Sequence, residues 1–339
     1  MTMRPDRMRV VSGIQPTGNL HLGNYLGAIR RWVRMQDEAE CFIFLADLHS
    51  ISEYVAPAER IAHIREMAAA LIACGVDPER VTLFNQARVP AHAELCWLLN
   101  GIARMGWLNR MTQWKDKAGK NREGASVALF DYPVLQAADV LLYQATHVPV
   151  GEDQKQHIEL IRDIALKFNC DYDVELFTLP EPHIGETAAR IMSLREGRVK
   201  MSKSDPSDMS RINLGDGADL IAQKIRKAKT DAEPLPDSFD ALESRPEARN
   251  LVAIYAALTD RSPQSVVDEF AGRGFGAFKP RLSELLIGTL TPIGERLRAF
   301  RADPGAVDRV LVAGAERAAA AAAPTLAGAY RAMGLPSRH

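Results

Sequence analysis

The chain has 339 residues, with 42 Lys and Arg against 43 Asp and Glu, so its formal net charge is −1. Hydrophobic residues make up 47% and charged residues 25% of the sequence, which is the composition of a globular protein. These values exclude a disordered chain, a collagen-like fibre and a small disulfide scaffold. At roughly 150 residues per domain, the length predicts about two domains, each with its own core.

Cysteine usage and hydropathy indicate a cytoplasmic protein. Cys41, Cys74, Cys96 and Cys170 are far apart and form no CxxC pair, so we expect reduced, buried thiols and no zinc site. The longest apolar stretches have the length of a strand, and the N-terminus leads into no signal-peptide core, so no membrane segment is expected. The near-zero net charge leaves any nucleic-acid partner to be argued from local sites.

The first half of the chain alternates short apolar runs with helical patterns. Strands are predicted over residues 9–14, 41–46, 80–84 and 146–150, and helices over 21–38 and 57–74, with Gly75 ending the second helix. A helical insertion over residues 91–143 precedes the last of these strands. Buried strands separated by helices indicate βαβ crossovers, and therefore an α/β fold with a doubly wound parallel sheet of Rossmann type.

Beyond about residue 205 the strand signals almost vanish. Helices are predicted over residues 218–229, 247–258, 263–271, 279–300 and 304–333. Asp303 followed by Pro304 is typical of a helix start, because the carboxylate caps free N–H groups and proline suits the first turn. We therefore predict a sheet domain over residues 1–204 and an all-helical C-terminal domain over residues 205–339.

Two short segments suit a phosphate-rich ligand. The first, SGIQPTGNLHLGN at residues 12–24, joins a strand to a helix, and its glycines allow a ligand to approach the backbone. The second, KMSKS at residues 200–204, places two lysines and two hydroxyls within five residues, which suits a departing polyphosphate. Taken singly, each is typical of an ordinary turn or a solvated surface. Together on a parallel sheet they indicate a nucleotide site.

These segments resemble the signatures of class I aminoacyl-tRNA synthetases. LHLGN at residues 20–24 resembles the HIGH signature, and residues 200–204 match the KMSKS signature. GIQPTG at 13–18, YPVLQAAD at 132–139 and VPVGEDQKQHIEL at 148–160 resemble the tryptophanyl-tRNA synthetases, whereas tyrosyl enzymes carry a GxSDQ-like segment at 151–154. The resemblance runs from the first strand to the last helix.

The resemblance implies a two-step ligase reaction. The carboxylate of tryptophan attacks the α-phosphorus of ATP bound to Mg²⁺, which gives tryptophanyl-adenylate and pyrophosphate. The terminal ribose hydroxyl of tRNA(Trp) then takes the acyl group. In the first step the protein aligns two anions and stabilises charge on the departing phosphates.

The resemblance also implies which residues handle ATP. Catalytic roles are expected for His21, Asn24, Lys117, Lys200 and Lys203. The ATP site is expected to contain Gln15, Pro16, Thr17, Gly23, Asn24, Gly151, Glu152, Asp153, Ile191, Lys200, Met201, Ser202, Lys203 and Ser204.

Three of these assignments have structural alternatives. His21 is equally explained as a helix cap, Lys117 as part of a charged mobile loop, and Asp153 as a carboxylate that offsets a helix dipole. Asn24 departs from the second histidine of the general signature, a departure that the family often shows.

Selection of tryptophan requires a buried acceptor for the indole N–H, because an apolar slot alone discriminates weakly. Asp139 lies among apolar residues on a predicted helix, so its carboxylate, if buried, needs a partner. The alternative is an exposed aspartate on the polar face of that helix. By resemblance, the tryptophan site contains Asp139, Tyr132, Gln136, Gln154, His49, Val148 and Val150. Tyr132 and Gln154 are expected to face the ammonium group, and Gln136 either adds a polar contact or simply varies.

The resemblance further implies that the enzyme is a homodimer and that the helical domain reads the anticodon. Lys224, Arg226, Lys227 and Lys229 form a basic cluster that suits either RNA phosphates or solvent. Trp97, Trp107 and Trp114 fall in the insertion where dimers of the family meet, and core packing explains them equally well.

Three competing functions stay open at this point. A tyrosyl enzyme is the nearest, with Asp139 serving a phenol. A nucleotidyltransferase that does not use tRNA shares the sheet, but it does not explain the long helical part. A non-catalytic relative is expected to lose His21, Lys200 or Lys203, and all three are present.

Overall fold

Five parallel strands form one sheet at the centre of the protein. The computed structural model describes residues 7–18, 20–118, 123–149, 155–183 and 190–336. The strands are β1 (Arg9–Ile14), β2 (Glu40–Leu45), β3 (Val81–Asn85), β4 (His147–Pro149) and β5 (Glu181–His183). Their order in the sheet is β3-β2-β1-β4-β5, and all neighbours are parallel. The predicted parallel sheet is confirmed, and β5 is a strand that the sequence did not predict.

Helices connect these strands as the βαβ pattern requires. In the first half they are α1 (Leu22–Asn24), α2 (Arg30–Met35), α3 (Pro57–Ala73), α4 (Ala91–Asn100), α5 (Met105–Leu108), α6 (Thr112–Ala118), α7 (Val127–Leu141) and α8 (Lys155–Asp171). The helix predicted over residues 21–38 is interrupted, because a π-helix at Tyr25–Ile29 separates α1 from α2. Gly75 adopts a φ of +108° just beyond α3, so it ends that helix as predicted.

Beyond residue 205 the described secondary structure is helical, apart from short 3-10 turns and an isolated β-bridge between Asn213 and His21. It consists of α9 (Ala218–Lys227), α10 (Pro246–Thr259), α11 (Pro263–Phe270), α12 (Phe275–Ala302) and α13 (Pro304–Ala332). The five predicted helices are confirmed, with ends that differ by a few residues. The Asp303 carboxylate accepts a hydrogen bond from the Ala306 N–H at 3.1 Å, which confirms the predicted cap of α13.

Helix α13 lies along the outer edge of β3. A Cβ atom on Gly314 would stand 1.7 Å from the Leu83 carbonyl oxygen, so only glycine permits this approach. Nearby, Arg317 Nη2 donates to the carbonyl oxygens of Pro78 at 2.7 Å and Val81 at 3.1 Å. The C-terminal helices therefore pack directly against the sheet, and one hydrophobic cluster contains residues from both halves of the chain. The division at residue 204 stays a prediction.

Three of the four cysteines are buried, and Cys170 is exposed at the end of α8, so the expectation of four buried thiols is wrong for that residue. Burial raises the pKa of Cys41 to about 11 and the pKa of Cys74 and Cys96 to about 12. Among the residues that the structure describes, no helix has the length and apolar character needed to cross a membrane. Within the same residues, no cluster of His, Cys, Asp and Glu side chains is arranged to hold a metal ion.

Candidate active site

Two neighbouring cavities lie at the carboxyl ends of β1 and β2, where ligands of parallel sheets bind. The larger has a volume of about 300 Å³ and the smaller about 140 Å³, and Gln15 lines both. Five residues predicted for the tryptophan site line the larger cavity: His49, Tyr132, Gln136, Asp139 and Val148. Four residues predicted for the ATP site line the smaller cavity: Gln15, Pro16, Thr17 and Lys203. The structure therefore brings the two predicted sites side by side.

His21 caps the short helix α1. Its Nδ1 accepts a hydrogen bond from the Gly23 N–H at 3.1 Å, and Asn24 Oδ1 accepts from the His21 N–H at 3.1 Å. This reciprocal pair is a capping box, which satisfies N–H groups that a helix start leaves free. Because Nδ1 is an acceptor, the hydrogen of the neutral ring resides on Nε2, which has no hydrogen-bond partner among the described residues and can donate to a ligand. His21 is thus a cap and also a potential donor.

Positive charge surrounds His21. Burial is the largest cause of its lowered pKa, which is about 4 against an ordinary 6.5. The charges of Arg211, Lys200 and Lys203 lower the pKa in the same direction. The ring is therefore neutral at neutral pH, and the three cations give this corner of the site a positive potential that suits a polyanion.

The KMSKS segment is held against the loop that follows β1. The Met201 N–H donates to the Ile191 carbonyl at 3.0 Å, and the Met201 side chain is 2% exposed. Lys200 is exposed. The Lys203 ammonium donates to the Thr17 backbone carbonyl, and burial lowers the pKa of Lys203. This contact joins the two motifs that the sequence singled out, across a separation of 186 positions.

The remaining predicted KMSKS residues are two serines. Their hydroxyls, on Ser202 and Ser204, lie 2.8 Å from each other, and the Ser204 N–H donates to Ser202 Oγ at 3.2 Å. These bonds shape the turn that presents Lys203 toward Thr17.

Asp139 is buried in α7 with 1% of its surface exposed, so the alternative of an exposed aspartate is wrong. Its Oδ1 accepts from Gln86 Nε2 and His92 Nδ1, both at 2.6 Å, and its Oδ2 lies 2.7 Å from His49 Nε2. Burial alone would raise the pKa of Asp139, but the charges and hydrogen bonds of His49 and His92 outweigh it and lower the pKa to about 2. The carboxylate is ionised, and protein side chains already hold it.

Tyr132 and Gln136 project from α7 into the same cavity. The Tyr132 hydroxyl donates to Gln113 Oε1 at 2.9 Å and lies 2.9 Å from His157 Nε2. Burial raises the pKa of Tyr132 to about 12, so the hydroxyl keeps its hydrogen at neutral pH. The cavity therefore combines an apolar wall with a few fixed polar groups, as small-molecule sites do.

A family model described as tRNA synthetases class I (W and Y) matches residues 3–291. The chain belongs to this family. The tryptophan–tRNA ligase of Caulobacter vibrioides is 56% identical over 327 residues, which cover 96% of this chain and 95% of that protein. The family membership inferred from the sequence motifs is thereby confirmed.

Solved structures of this synthetase family share the fold. The tryptophanyl-tRNA synthetase of Campylobacter jejuni, complexed with ADP and tryptophan, superposes with a TM-score of 0.80 at 33% identity, covering 97% of this chain and all (100%) of that one. The Mycoplasma pneumoniae enzyme gives a TM-score of 0.85 at 32% identity, covering 98% and 99%. The Rossmann-type architecture with helical C-terminal part is therefore that of a synthetase.

Several predicted residues of the synthetase site lie outside the described residues. They are Val150, Gly151, Glu152, Asp153 and Gln154. For Lys117 the structure describes only the backbone, which lies in α6. Ile191 is 2% exposed, and its backbone carbonyl holds the KMSKS segment through Met201.

The four residues of the basic cluster in the helical part of the synthetase differ in their exposure to solvent. Lys224 is 0% exposed and pairs with Asp216 at 2.6 Å and Asp208 at 2.7 Å, so both interpretations of this residue, contact with RNA phosphates and exposure to solvent, are wrong. Lys229 pairs with Glu247 at 2.7 Å. Arg226 and Lys227 are exposed on α9.

The three tryptophans of the helical insertion also differ in their exposure to solvent. Trp114 is 7% exposed and packs edge to face on Phe130, with ring centroids 4.9 Å apart, which is core packing. The Arg104 guanidinium lies 5.3 Å from the Trp107 ring centroid. Trp97 is 78% exposed on α4.

Five residues that contact the predicted site residues or line the same cavity were not predicted from the sequence. Gln86 and His92 hold Asp139, Arg211 faces His21, and Arg60 and His63 line the smaller cavity. Gln86 directly follows β3, and its position at the carboxyl edge of a parallel strand is a signal that could have found it. The other four carry no local pattern in the sequence.

Proposed function

We propose that this chain is a tryptophan–tRNA ligase, which activates L-tryptophan with ATP and then charges tRNA(Trp). The observation that carries the proposal is the ionised, buried Asp139 in a cavity of about 300 Å³ that adjoins the two ATP motifs. Relatives named as tryptophan–tRNA ligases, at 54% and 56% identity over at least 94% of this chain, support it.

The free lone pairs of Asp139 suit an indole N–H. A carboxylate oxygen accepts about two hydrogen bonds. Oδ1 already accepts from Gln86 and His92, whereas among the described residues Oδ2 has one partner, His49, which lines the cavity. A substrate without a donor leaves Oδ2 under-satisfied in a buried site, and this is the arrangement that discriminates strongly.

The smaller cavity and the capped helix suit ATP, which enters as its Mg²⁺ complex. In the proposed site, His21 Nε2 and the amide nitrogen of Asn24 donate to the triphosphate, since their other polar atoms are used in the capping box. Gly23 allows ATP to approach the backbone closely. A Cβ atom at this position would stand 3.0 Å from the His21 ring, so a side chain would crowd the site. Lys200 and Lys203 neutralise the phosphates as they depart, when the charge to be stabilised is greatest.

The proposal extends to partners and location. Residues 205–339 are proposed to read the tRNA anticodon, and Arg226, Lys227 and Lys229 are the exposed cations of the basic cluster. The enzyme is proposed to act as a cytoplasmic homodimer. Trp97 at 78%, Met105 at 66% and Val127 at 81% exposure provide apolar surface on the helical insertion for such an interface.

Exchange of radiolabelled pyrophosphate into ATP, measured with each of the twenty amino acids, tests the activity. Exchange that depends on tryptophan alone, followed by charging of tRNA(Trp), is the expected result. Exchange with tyrosine indicates the tyrosyl enzyme, and adenylyl transfer from ATP to an acceptor that is not an amino acid indicates a nucleotidyltransferase. A purified, folded protein that supports no exchange contradicts the proposal.

A further inference from the structure

Behind Asp139 a chain of hydrogen bonds leads away from the cavity. His92 Nδ1 lies 2.6 Å from Asp139 Oδ1, and His92 Nε2 lies 2.7 Å from the Tyr143 hydroxyl. His92 and Tyr143 are both 0% exposed. Phe42 stacks on the Tyr143 ring at 4.6 Å between centroids, so the chain runs through an aromatic environment that excludes water. Polar groups buried in this way are satisfied by one another or not at all.

The direction of each hydrogen bond follows from the ionised carboxylate. Asp139 is an acceptor only, so Nδ1 of His92 must carry a hydrogen to bond with it. In its neutral form the imidazole has one N–H, so His92 Nε2 then accepts a hydrogen bond from the Tyr143 hydroxyl. Burial raises the pKa of Tyr143, and the charge of Asp139 raises it further, so this hydroxyl keeps its hydrogen. The Asp139 carboxylate thus requires the hydrogen on His92 Nδ1, and the Tyr143 hydroxyl holds the other ring nitrogen in place.

The two oxygens of Asp139 face different surroundings. The donors to Oδ1, Gln86 and His92, are both 0% exposed, whereas His49, the partner of Oδ2, lines the cavity. Two fixed donors on one oxygen prevent rotation of the carboxylate about χ2. The oxygen with a spare lone pair therefore stays on the cavity side.

We propose that His92 and Tyr143 are positioning residues for tryptophan selection, which act through Asp139 without touching the substrate. The Tyr143 hydroxyl anchors the His92 ring through Nε2, and the His92 N–H on Nδ1 fixes Oδ1 so that Oδ2 faces the indole N–H. This inference rests on the proposed function. It assigns part of the specificity to residues buried behind the cavity wall.

An analogue that keeps the shape of tryptophan and lacks its donor isolates this effect. In 3-(benzothiophen-3-yl)alanine a sulfur atom replaces the indole N–H. Because a site built around a substrate N–H rejects such an analogue strongly, we expect the wild-type protein to prefer tryptophan by roughly 10⁴-fold in kcat/KM for pyrophosphate exchange. The ratio of the two kcat/KM values is the quantity to compare among variants.

The variants separate positioning from general packing. Tyr143→Phe and His92→Leu should each lower the ratio at least roughly tenfold, through loss of activity with tryptophan. His92→Asn keeps an N–H close to the position of Nδ1 and should retain most of the ratio. Phe84→Leu is the matched control, because Phe84 packs on both rings, 5.9 Å from His92 and 5.8 Å from Tyr143, and adds no hydrogen bond to the chain. It should slow both substrates equally.

The outcomes distinguish this inference from the proposed function. A wild-type protein without tryptophan-dependent exchange contradicts the proposed function, and the inference is lost with it. Wild-type exchange that fails to distinguish the two substrates leaves the ligase activity intact and overturns the inference. The inference is also overturned if Tyr143→Phe lowers both activities together and keeps the ratio within about twofold. If thermal melting shows that His92→Leu does not fold, Tyr143→Phe and His92→Asn decide the question.

Discussion

The backbone N–H of His21 donates to the Asn24 side-chain oxygen, while the ring of His21 accepts the N–H of Gly23. The first and fourth residues of the signature are therefore joined by a hydrogen bond. The side chain of Asn24 has the length needed for its amide oxygen to reach the His21 N–H. This arrangement gives the asparagine a role of its own in place of a second histidine. Its oxygen is engaged within the protein, and its nitrogen is directed to a ligand in the proposed site.

Substitutions of Asn24 should separate its two roles. Asn24→Ala removes the acceptor for the His21 N–H and the proposed phosphate donor, so we expect a loss of about 1 kcal/mol in the free energy of unfolding together with slow exchange. Asn24→Asp keeps the acceptor and places a negative charge near the triphosphate. It should melt like the wild type and still lose activity. Thermal denaturation and pyrophosphate exchange measure the two effects, and an active Asn24→Asp protein contradicts the phosphate role.

Removal of the Lys203 ammonium should affect the rate more than ATP binding. Because the charge that Lys203 meets grows as pyrophosphate departs, Lys203→Ala should lower the rate of adenylate formation roughly a hundredfold. The KM for ATP should change far less. Stopped-flow measurement of adenylate formation checks this, with Lys167→Ala as a control, since Lys167 pairs with Asp171 on the surface of α8. A variant that loses only ATP affinity would refute the assignment.

The carboxylate of Asp139 should not tolerate an amide. In Asp139→Asn one of the two oxygens becomes an NH₂ group, which then faces the N–H donors of His49, His92 or Gln86. We expect the free energy of unfolding to fall by about 2 kcal/mol and the preference for tryptophan over other amino acids to weaken.

Asp131→Asn is the matched control on α7. Asp131 is half-buried and accepts from Asn100 Nδ2 at 3.0 Å, a bond that an amide oxygen can also accept. Urea denaturation and exchange with tryptophan and its competitors test both proteins. Equal stability and selectivity in Asp139→Asn and the wild type would remove Asp139 from the site.

His21 should make stability depend on pH in a window set by its lowered pKa. Between its ordinary pKa of 6.5 and its folded pKa of about 4, the unfolded chain binds a proton that the folded chain does not. The stability linked to neutral His21 is therefore complete above pH 6.5 and is lost as the pH falls through 4, in total about 3 kcal/mol. Urea denaturation from pH 7 to pH 4 should show a shallower slope in His21→Gln. Identical slopes would indicate that the ring titrates normally.

Lys224 should be a structural residue. Its buried ammonium pairs with the buried carboxylate of Asp216, so Lys224→Met leaves that carboxylate without its cation and should cost roughly 3 kcal/mol in the free energy of unfolding. Lys227→Met, on the exposed side of the same helix, should change stability by less than about 0.5 kcal/mol. Urea denaturation at neutral pH compares the two, and similar midpoints would show that the buried pair contributes little.

The sequence predicted those elements whose signals are local. Strands β1, β2 and β3 contain apolar runs, and the helix ends at Gly75 and Asp303 follow cap rules that need no tertiary information. Strand β5, Glu181–His183, has no apolar run and contains a proline. Only its pairing with β4 makes it a strand, so no local pattern predicts it.

Like the fold, the site was predictable only where its residues carry a local signal in the sequence. Asp139 stands out because it interrupts an apolar helix face, and burial of that face followed from the helical period. Its partners Gln86 and His92 come from 53 and 47 positions earlier in the chain. His92 reaches it because α4 packs on α7, and Gln86 reaches it from the turn that follows β3. The charge state of Asp139 therefore depends on tertiary contacts that spacing does not reveal.

The contact of Gly314 and Arg317 with β3 has a consequence for the integrity of the whole protein. Strand β3 is an edge strand of the sheet, and its Leu83 and Val81 carbonyls point at α13 rather than at another strand. A chain shortened before Pro304 would expose these carbonyl oxygens to solvent. An exposed edge strand can form hydrogen bonds with strands of other molecules. By covering the edge of β3, helix α13 thereby protects the sheet against edge-to-edge aggregation.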